Sequence, residues 1–216
     1  MELTPTQTID GLIAEYEDFA DLVGGLSPQE LDTPTRCAGW AVRDVAGHVT
    51  GGALDTVALT IGARSPDQQA ADLRDHDHAA ELRKAAAELR ALLEAAVSAW
   101  DRPSMAPDRT IGNGVLTLWY DTYMHADDVR SALGRPSERG PGLAASVRWM
   151  LEELGRKGWG PARVSLTGLR ERGAGEAEIG GGGPLVRADA LRFMLAATGR
   201  IDPAEVGLDE SVNIYR

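Results

Sequence analysis

Hydrophobic residues in the first two thirds of the chain recur at steps of three and four residues, the spacing of amphipathic helices. The spacing predicts four helices, at Ile9–Val23, Trp40–Ile61, Leu82–Trp100 and Asn113–Leu133. The connection at residues 64–78 is strongly polar, so we expect a loop there. Four helices with moderate connections indicate an antiparallel bundle over residues 1–137.

The pattern changes after the segment SERGPGL (137–143), which is typical of a domain linker. The elements predicted beyond it are a helix at Leu143–Leu154, strands at Arg163–Thr167, Glu176–Ile179 and Pro184–Arg187, and a helix at Ala188–Thr198. Four glycines at 180–183 lack the Lys-Ser/Thr of a phosphate-binding loop and predict a hairpin turn. The predicted fold class is therefore α+β, with a four-helix bundle followed by a small α+β domain at 145–216.

The composition bears on where in the cell the protein is expected. Hydrophobic residues make up 43% of the 216, enough for an ordinary core, and no apolar run is long enough to span a membrane. The first residues, MELTPTQTIDGL, lack the basic start and apolar run of a signal peptide. With Cys37 as the only cysteine, an internal disulfide is excluded. We therefore predict a cytoplasmic protein without a membrane partner.

The net charge argues against nucleic acid as a partner. Lys plus Arg is 22 and Asp plus Glu is 33, which gives −11 at pH 7. A field of that sign repels phosphate backbones, and the nearest basic cluster, Arg170-Glu171-Arg172, is small. We expect small molecules rather than nucleic acid as partners, and the oligomeric state stays open.

The segment WYDTYMHADD (119–128) places acids and a histidine inside an apolar helix. Asp121 and His125 are four residues apart, so their side chains lie on one face about 6 Å apart. Both could bind one cation, or they could form a solvated edge. Asp128 continues the same face, and we expect Asp127 to be solvated. Trp119 and Tyr123 lie on the opposite side of the helix, where we expect packing.

A second histidine, His48, lies at the edge of the apolar face of the second helix. A lone histidine there is more often a satisfied core residue than a ligand. In a bundle, however, His48 could join Asp121 and His125, and such a set leaves one position open, as catalytic zinc requires. His76 and His78 lie in the polar connection, where we expect both to be exposed.

These residues carry a family resemblance. The stretch TRCAGWAVRDVAGHV (35–49) resembles the signature P-C-x-G-W-x-V-x-D-V-x-x-H of the mycothiol-dependent maleylpyruvate isomerase family, whose members are DinB-like four-helix metalloproteins. The spacing of Asp121, His125 and Asp128, followed by Ala-Leu-Gly at 132–134, is similar to the second signature of that family. The ending ALRFMLAATGR (190–200) is similar to the end of its small C-terminal domain.

The resemblance implies a divalent metal, zinc first among several that such a set accepts, at His48, Asp121 and His125. It also implies mycothiol as a cofactor: its thiolate adds to a conjugated double bond, the bond rotates, and elimination returns the thiol. The protein would then be an isomerase or an S-transferase acting on a small organic substrate. The alternatives are a non-catalytic metal- or small-molecule-binding module of this fold, or a purely structural bundle. Three departures matter: the family usually has Glu where this chain has Asp121, it often has a basic residue where this chain has Leu118, and the C-terminal domain here is short.

The neighbours of these residues receive roles of their own. Asp128 and Asp44 are candidates for acceptors that lie behind the metal-binding histidines and hold them, or else ordinary surface acids. We expect Trp40 to anchor the start of the second helix in the core. We expect Cys37 to be a small buried hydrophobe rather than a nucleophile, because no histidine is within sequence reach.

Overall fold

The computed structural model describes residues 3–105, 108–170 and 175–216. The chain divides into two compact units, residues 2–137 and 138–216. Helices form the first unit, and helices with a three-stranded sheet form the second, which confirms the predicted α+β fold class. Glu171 and Arg172 of the small basic cluster lie outside the described residues.

The first unit is a helical bundle. Its helices are α1 (Pro5–Gly24), α2 (Pro28–Leu31), α3 (Val42–Val57), α4 (Pro66–Leu73), α5 (His78–Ala96) and α6 (Ile111–Ala132). The four long helices are the four predicted from the hydrophobic spacing; α1 packs against α5 and α6, and α3 packs against α4, α5 and α6. Their core includes Tyr16, Phe19, Leu82, Leu89 and Tyr123, each less than 2% exposed.

Helix α4 lies in the connection where we expected a loop. It begins with a capping box, in which the Ser65 side chain accepts from the Gln68 amide while the Gln68 side chain accepts from the Ser65 amide. Pro66 follows at the first helical position, where its fixed φ suits a helix. The local signals were thus present, but the polar composition of the segment masked them.

Two glycines of α3 let α4 approach closely. A Cβ on Gly47 would lie 2.9 Å from the carbonyl oxygen of Ala70, and one on Gly51 would lie 2.7 Å from the Cβ of Gln69. Any larger residue at either position would push α4 outward. The inner face of α4 therefore sits directly on α3, and it buries Gln69.

His78 is buried, so our expectation of exposure is wrong for it. It is the first residue of α5, which the Asp77 side chain caps, and it is 6% exposed. Burial lowers its pKa, and its Nδ1 has no hydrogen-bond partner among the described residues. His76 is exposed as expected, with Nδ1 2.7 Å from Glu81 Oε1.

The second unit combines two helices with a mixed sheet. Its elements are α7 (Pro141–Arg156), β1 (Ala162–Thr167), β2 (Glu176–Ile179), β3 (Leu185–Asp189) and α8 (Ala190–Ala197). The strand order is β2-β1-β3, with β1 antiparallel to β2 and parallel to β3. Its apolar core includes Leu143, Met150 and Phe193.

The prediction of a hairpin turn at the four glycines is wrong. Because β1 lies between β2 and β3, residues 180–183 carry the chain across the end of β1 from one edge of the sheet to the other. All four glycines have positive φ, from 70° to 94°. A Cβ on Gly183 would lie 2.1 Å from the Pro161 carbonyl oxygen, so the crossover also needs a close backbone approach. In the described part of the chain, no helix is both long and apolar enough to cross a membrane.

Candidate metal centre

Helices α3 and α6 bring His48, Asp121 and His125 together. His48 Nε2 lies 3.3 Å from Asp121 Oδ2, and His125 Nε2 lies 3.6 Å from Asp121 Oδ1. The two imidazole rings meet edge to face with their centroids 4.9 Å apart. One donor atom from each residue lies within 4.8 Å of the other two. The set that the sequence suggested therefore converges on one point.

The donor separations fit a small divalent cation. Zinc bonds to nitrogen and oxygen ligands are about 2.0–2.1 Å, so two ligand atoms around a tetrahedral ion lie roughly 3.3 Å apart. The nearest contacts of the Asp121 carboxylate with the two histidines, 3.3 Å through Oδ2 to His48 and 3.6 Å through Oδ1 to His125, are close to that separation. The shorter Asp121 side chain thus reaches the point that both histidines face. Two nitrogens and one oxygen would leave a tetrahedral ion with one position open.

His125 is held from behind by a buried carboxylate. Its Nδ1 lies 3.0 Å from Asp128 Oδ2, and the Asp128 side chain is fully buried. The same Asp128 accepts from Arg36 Nε at 2.6 Å and from the Cys37 thiol at 3.1 Å. Asp128 therefore occupies the position of an acceptor behind His125, and a hydrogen bond there turns Nε2 toward Asp121.

His48 is held by Gln69 of α4. Its Nδ1 lies 2.8 Å from Gln69 Oε1. Asp44, the other candidate acceptor, turns away from His48: it accepts from the Ala41 amide at 2.8 Å and pairs with Arg74. Asp44 therefore serves the start of α3, where a carboxylate satisfies free amides, and Gln69 occupies the place behind the histidine.

The charge of Asp121 affects the protonation of His48. Burial lowers the pKa of His48, but the charge of Asp121 and hydrogen bonds with Asp121 and Gln69 outweigh burial. The net result is a pKa raised above the usual value for histidine. A proton on His48 would occupy the same nitrogen as a cation, so proton and metal compete there.

Sequence comparison places the chain among known proteins. The profile described as the mycothiol maleylpyruvate isomerase N-terminal domain matches residues 12–130, more than half of the chain, and that range includes all three converging residues. The chain belongs to this family. No curated protein matches it significantly.

Two solved structures share the fold. They are crystal structures of the mycothiol-dependent maleylpyruvate isomerase and of a histidine-to-alanine mutant of it, with TM-scores of 0.62 and 0.60. Each is 16% identical to this chain, and the alignment covers 96% of both chains. The profile match confirms the predicted membership of the maleylpyruvate isomerase family, and the two structures show the shared fold.

In this member of the family, Asp127 is buried rather than solvated, contrary to our expectation. It is 1% exposed, and the Arg36 guanidinium bridges it to Asp128. A buried carboxylate is costly without such a partner. Arg36 is 91 residues away along the chain, so no local pattern indicated the pairing.

Cys37 and Trp40 also depart from their expected roles. The Cys37 sulfur lies 4.0 Å from His125 Nδ1, so the fold supplies the histidine that the sequence neighbourhood lacks. Cys37, His125 and Asp128 form a second group whose donor atoms lie within 4.8 Å of one another. Trp40 is half-buried, with its ring 5.2 Å from His48 and 6.1 Å from His125, so it covers the imidazoles instead of anchoring in the core.

Tyr16 of α1 is a neighbour of the site that the sequence did not single out. It is 1% exposed, and burial together with the charge of Asp121 raises its pKa well above the usual value for a phenol. It therefore stays a neutral phenol at physiological pH, hydrogen-bonded with Thr122. Its place in the apolar stripe of α1 concealed this position, because a stripe residue is normally a packing residue.

Proposed function

We propose that the protein is a metal-dependent enzyme that uses a low-molecular-weight thiol, mycothiol, either to isomerise a small organic substrate or to transfer the thiol to it. The observation that carries the proposal is the convergence of His48, Asp121 and His125 at separations suited to zinc. Family membership supports the choice of thiol, because the family profile is described by mycothiol and maleylpyruvate isomerase.

The residues of the site would set its charge. Two neutral imidazoles and one carboxylate around a divalent ion leave a net charge of about +1, which favours an anionic fourth ligand such as a thiolate. A bound ion would lower the pKa of a thiol held on it. Asp128 and Gln69 hold the histidines from behind, and Trp40 shields part of their rings from water.

A second candidate is a non-catalytic metal- or small-molecule-binding module. Leu118 stands where the family often carries a basic residue, which could help to hold an anionic substrate. The lack of a basic side chain at this position favours the non-catalytic module. Arg36, the cation beside Cys37, pairs with two buried carboxylates and is thus already engaged. Thiol binding and thiol-dependent turnover separate the two candidates.

The test uses the cobalt-substituted protein. We expect about one cobalt per chain, and a thiolate-to-cobalt charge-transfer band when mycothiol is added. His48→Ala and His125→Ala should lose both signals, whereas His76→Ala should keep them because His76 is an exposed residue paired with Glu81. Cobalt bound in wild type with no response to mycothiol would exclude the thiol role and support the binding module.

Turnover is then measured with a cis-configured conjugated oxo-acid. The proposal expects isomerisation that needs both the metal and the thiol, while formation of a stable thioether would identify an S-transferase. Metal-free wild type that matches both histidine variants in metal content would overturn the proposal as a whole.

A further inference from the structure

A chain of hydrogen bonds runs from His48 into the interface between α3 and α4. His48 Nδ1 lies 2.8 Å from Gln69 Oε1, and Gln69 Nε2 donates to Asp55 Oδ2 at 2.7 Å. Arg64 closes the chain, because its Nε and Nη2 donate to the Asp55 carboxylate at 2.7 to 3.2 Å. Gln69 and Asp55 are both 7% exposed, so water has little access to the connection.

The chemistry of these groups decides which way the Gln69 amide points. A carboxylate offers only acceptors, so the side of Gln69 that faces Asp55 must be its NH2 group. The carbonyl oxygen then faces His48, and an oxygen can only accept. The nitrogen of His48 that meets it must therefore carry a proton.

The opposite arrangement loses more than it gains. With the proton of neutral His48 on Nε2, Asp121 would gain a hydrogen bond at 3.3 Å. The lone pair on Nδ1 would then face the Gln69 oxygen at 2.8 Å, or a flipped amide would place that oxygen 2.7 Å from the Asp55 carboxylate. Either outcome sets two acceptors against each other in a buried place, where an unsatisfied polar group is costly. The Asp121 side chain, in contrast, is 36% exposed and can accept from water instead.

We propose that Gln69, oriented by Asp55, is a positioning residue that keeps the proton of neutral His48 on Nδ1 and leaves Nε2 free to face Asp121. The effect of Gln69 on metal affinity rests on the proposed function, whereas its effect on the position of the His48 proton does not. His125 needs no such relay, because Asp128 accepts directly at its Nδ1.

The packing of α3 against α4 keeps the relay in place. Gly51 lies under Gln69, and a Cβ at that position would be 2.7 Å from Gln69 Cβ and 2.9 Å from Gln69 Cγ. Gly52, the next residue along α3, would place a Cβ with no atom within 4 Å. Gly51→Ala should therefore displace Gln69, whereas Gly52→Ala, the same chemical change one residue along, should leave Gln69 in place.

The experiment is a long-range ¹H–¹⁵N correlation spectrum of the histidine rings in the full-length, metal-free protein, above the pH at which His48 titrates. In wild type we expect His48 as the Nδ1–H tautomer. In Gln69→Met, which keeps the length but not the polar groups, we expect a switch toward Nε2–H, with His125 unchanged as an internal reference. Gly51→Ala should shift His48 in the same direction, and Gly52→Ala should match wild type.

Zinc affinity supplies the second measurement. Loss of a partner behind a ligating histidine typically weakens binding 10- to 100-fold, so we expect that loss in Gln69→Met and Gly51→Ala but not in Gly52→Ala. An unchanged His48 tautomer in both Gln69→Met and Gly51→Ala would overturn the inference. If the tautomer switches but wild type binds no metal, the inference holds and the proposed function fails.

Discussion

Zinc should stabilise the helical unit, and this prediction tests the three converging residues together. A ligand that binds only the folded state at 100 times its dissociation constant stabilises that state by about 2.7 kcal/mol. For a chain of this size, each kcal/mol shifts the melting temperature by about 2–4 °C, so we expect a rise of roughly 5–11 °C. The prediction depends on the convergence of the three residues, whose donor atoms lie within 4.8 Å of one another.

Removing one donor should abolish most of that rise. If His48→Gln or Asp121→Asn weakens binding 100-fold, the same zinc concentration equals the dissociation constant and contributes only about 0.4 kcal/mol, or roughly 1–2 °C. Each protein is compared with and without zinc, so any effect of the substitution on the metal-free fold cancels. Differential scanning calorimetry of the transition is the measurement.

The matched control is His76→Gln, since His76 is exposed and pairs with Glu81 away from the site. It should keep the full rise. The reasoning is refuted if wild type shows no rise with zinc, if Asp121→Asn keeps all of it, or if His76→Gln loses it.

Three further predictions concern the rest of the fold. Gly11→Ala would place a Cβ 1.9 Å from the Trp119 ring. The overpacking costs about 1–3 kcal/mol and should exceed the gain in helix propensity of about 1 kcal/mol, so the variant should be less stable than wild type. Urea unfolding that shows no loss of stability would contradict this prediction. Burial raises the pKa of Asp189, but hydrogen bonds from Arg139 and backbone amides outweigh it, so the net pKa is lowered. Stability from this carboxylate is present above its unfolded pKa of about 3.9 and is lost as pH falls through the folded value, so Asp189→Asn should flatten the acid limb of a melting-temperature profile. Burial lowers the pKa of His78, so the unfolded chain takes up its proton first as pH falls below about 6.5; wild type should lose more stability between pH 7.5 and 5.5 than His78→Gln.

The long helices and the pairing within α6 were predictable because both follow local periodicity. Asp121 and His125 share a face through their spacing alone, whatever the rest of the chain does. Helix α4 was not predictable in this way, because its inner face carries Gln69, Ala70 and Leu73 rather than a broad apolar stripe. Its packing depends on glycines of α3, which have no side chain to keep α4 away, and these glycines belong to another segment of the sequence.

Some contacts around the candidate metal centre were missed for a related reason. Arg36 neutralises Asp127 from 91 positions away, so Asp127 resembled a solvated acid in the sequence. The crossover at residues 180–183 was misread because glycine runs suit hairpins and crossovers equally. Only the pairing of β1 with both other strands distinguishes the two.

The motif around Cys37 and His48 now has a physical explanation that its spacing alone did not give. The segment that precedes α3 is closed on itself, since the Thr35 amide donates to the Trp40 carbonyl at 2.9 Å. In this closed segment, Arg36 pairs with Asp128 and the Trp40 ring lies over the imidazoles, and the helix that follows carries His48. Residues 35–48 therefore supply one proposed ligand and the cation that holds the acceptor behind another. Because both histidines are fixed by partners that are themselves held, Nε2 of each faces Asp121 before any cation arrives, and binding would need little ordering of the site.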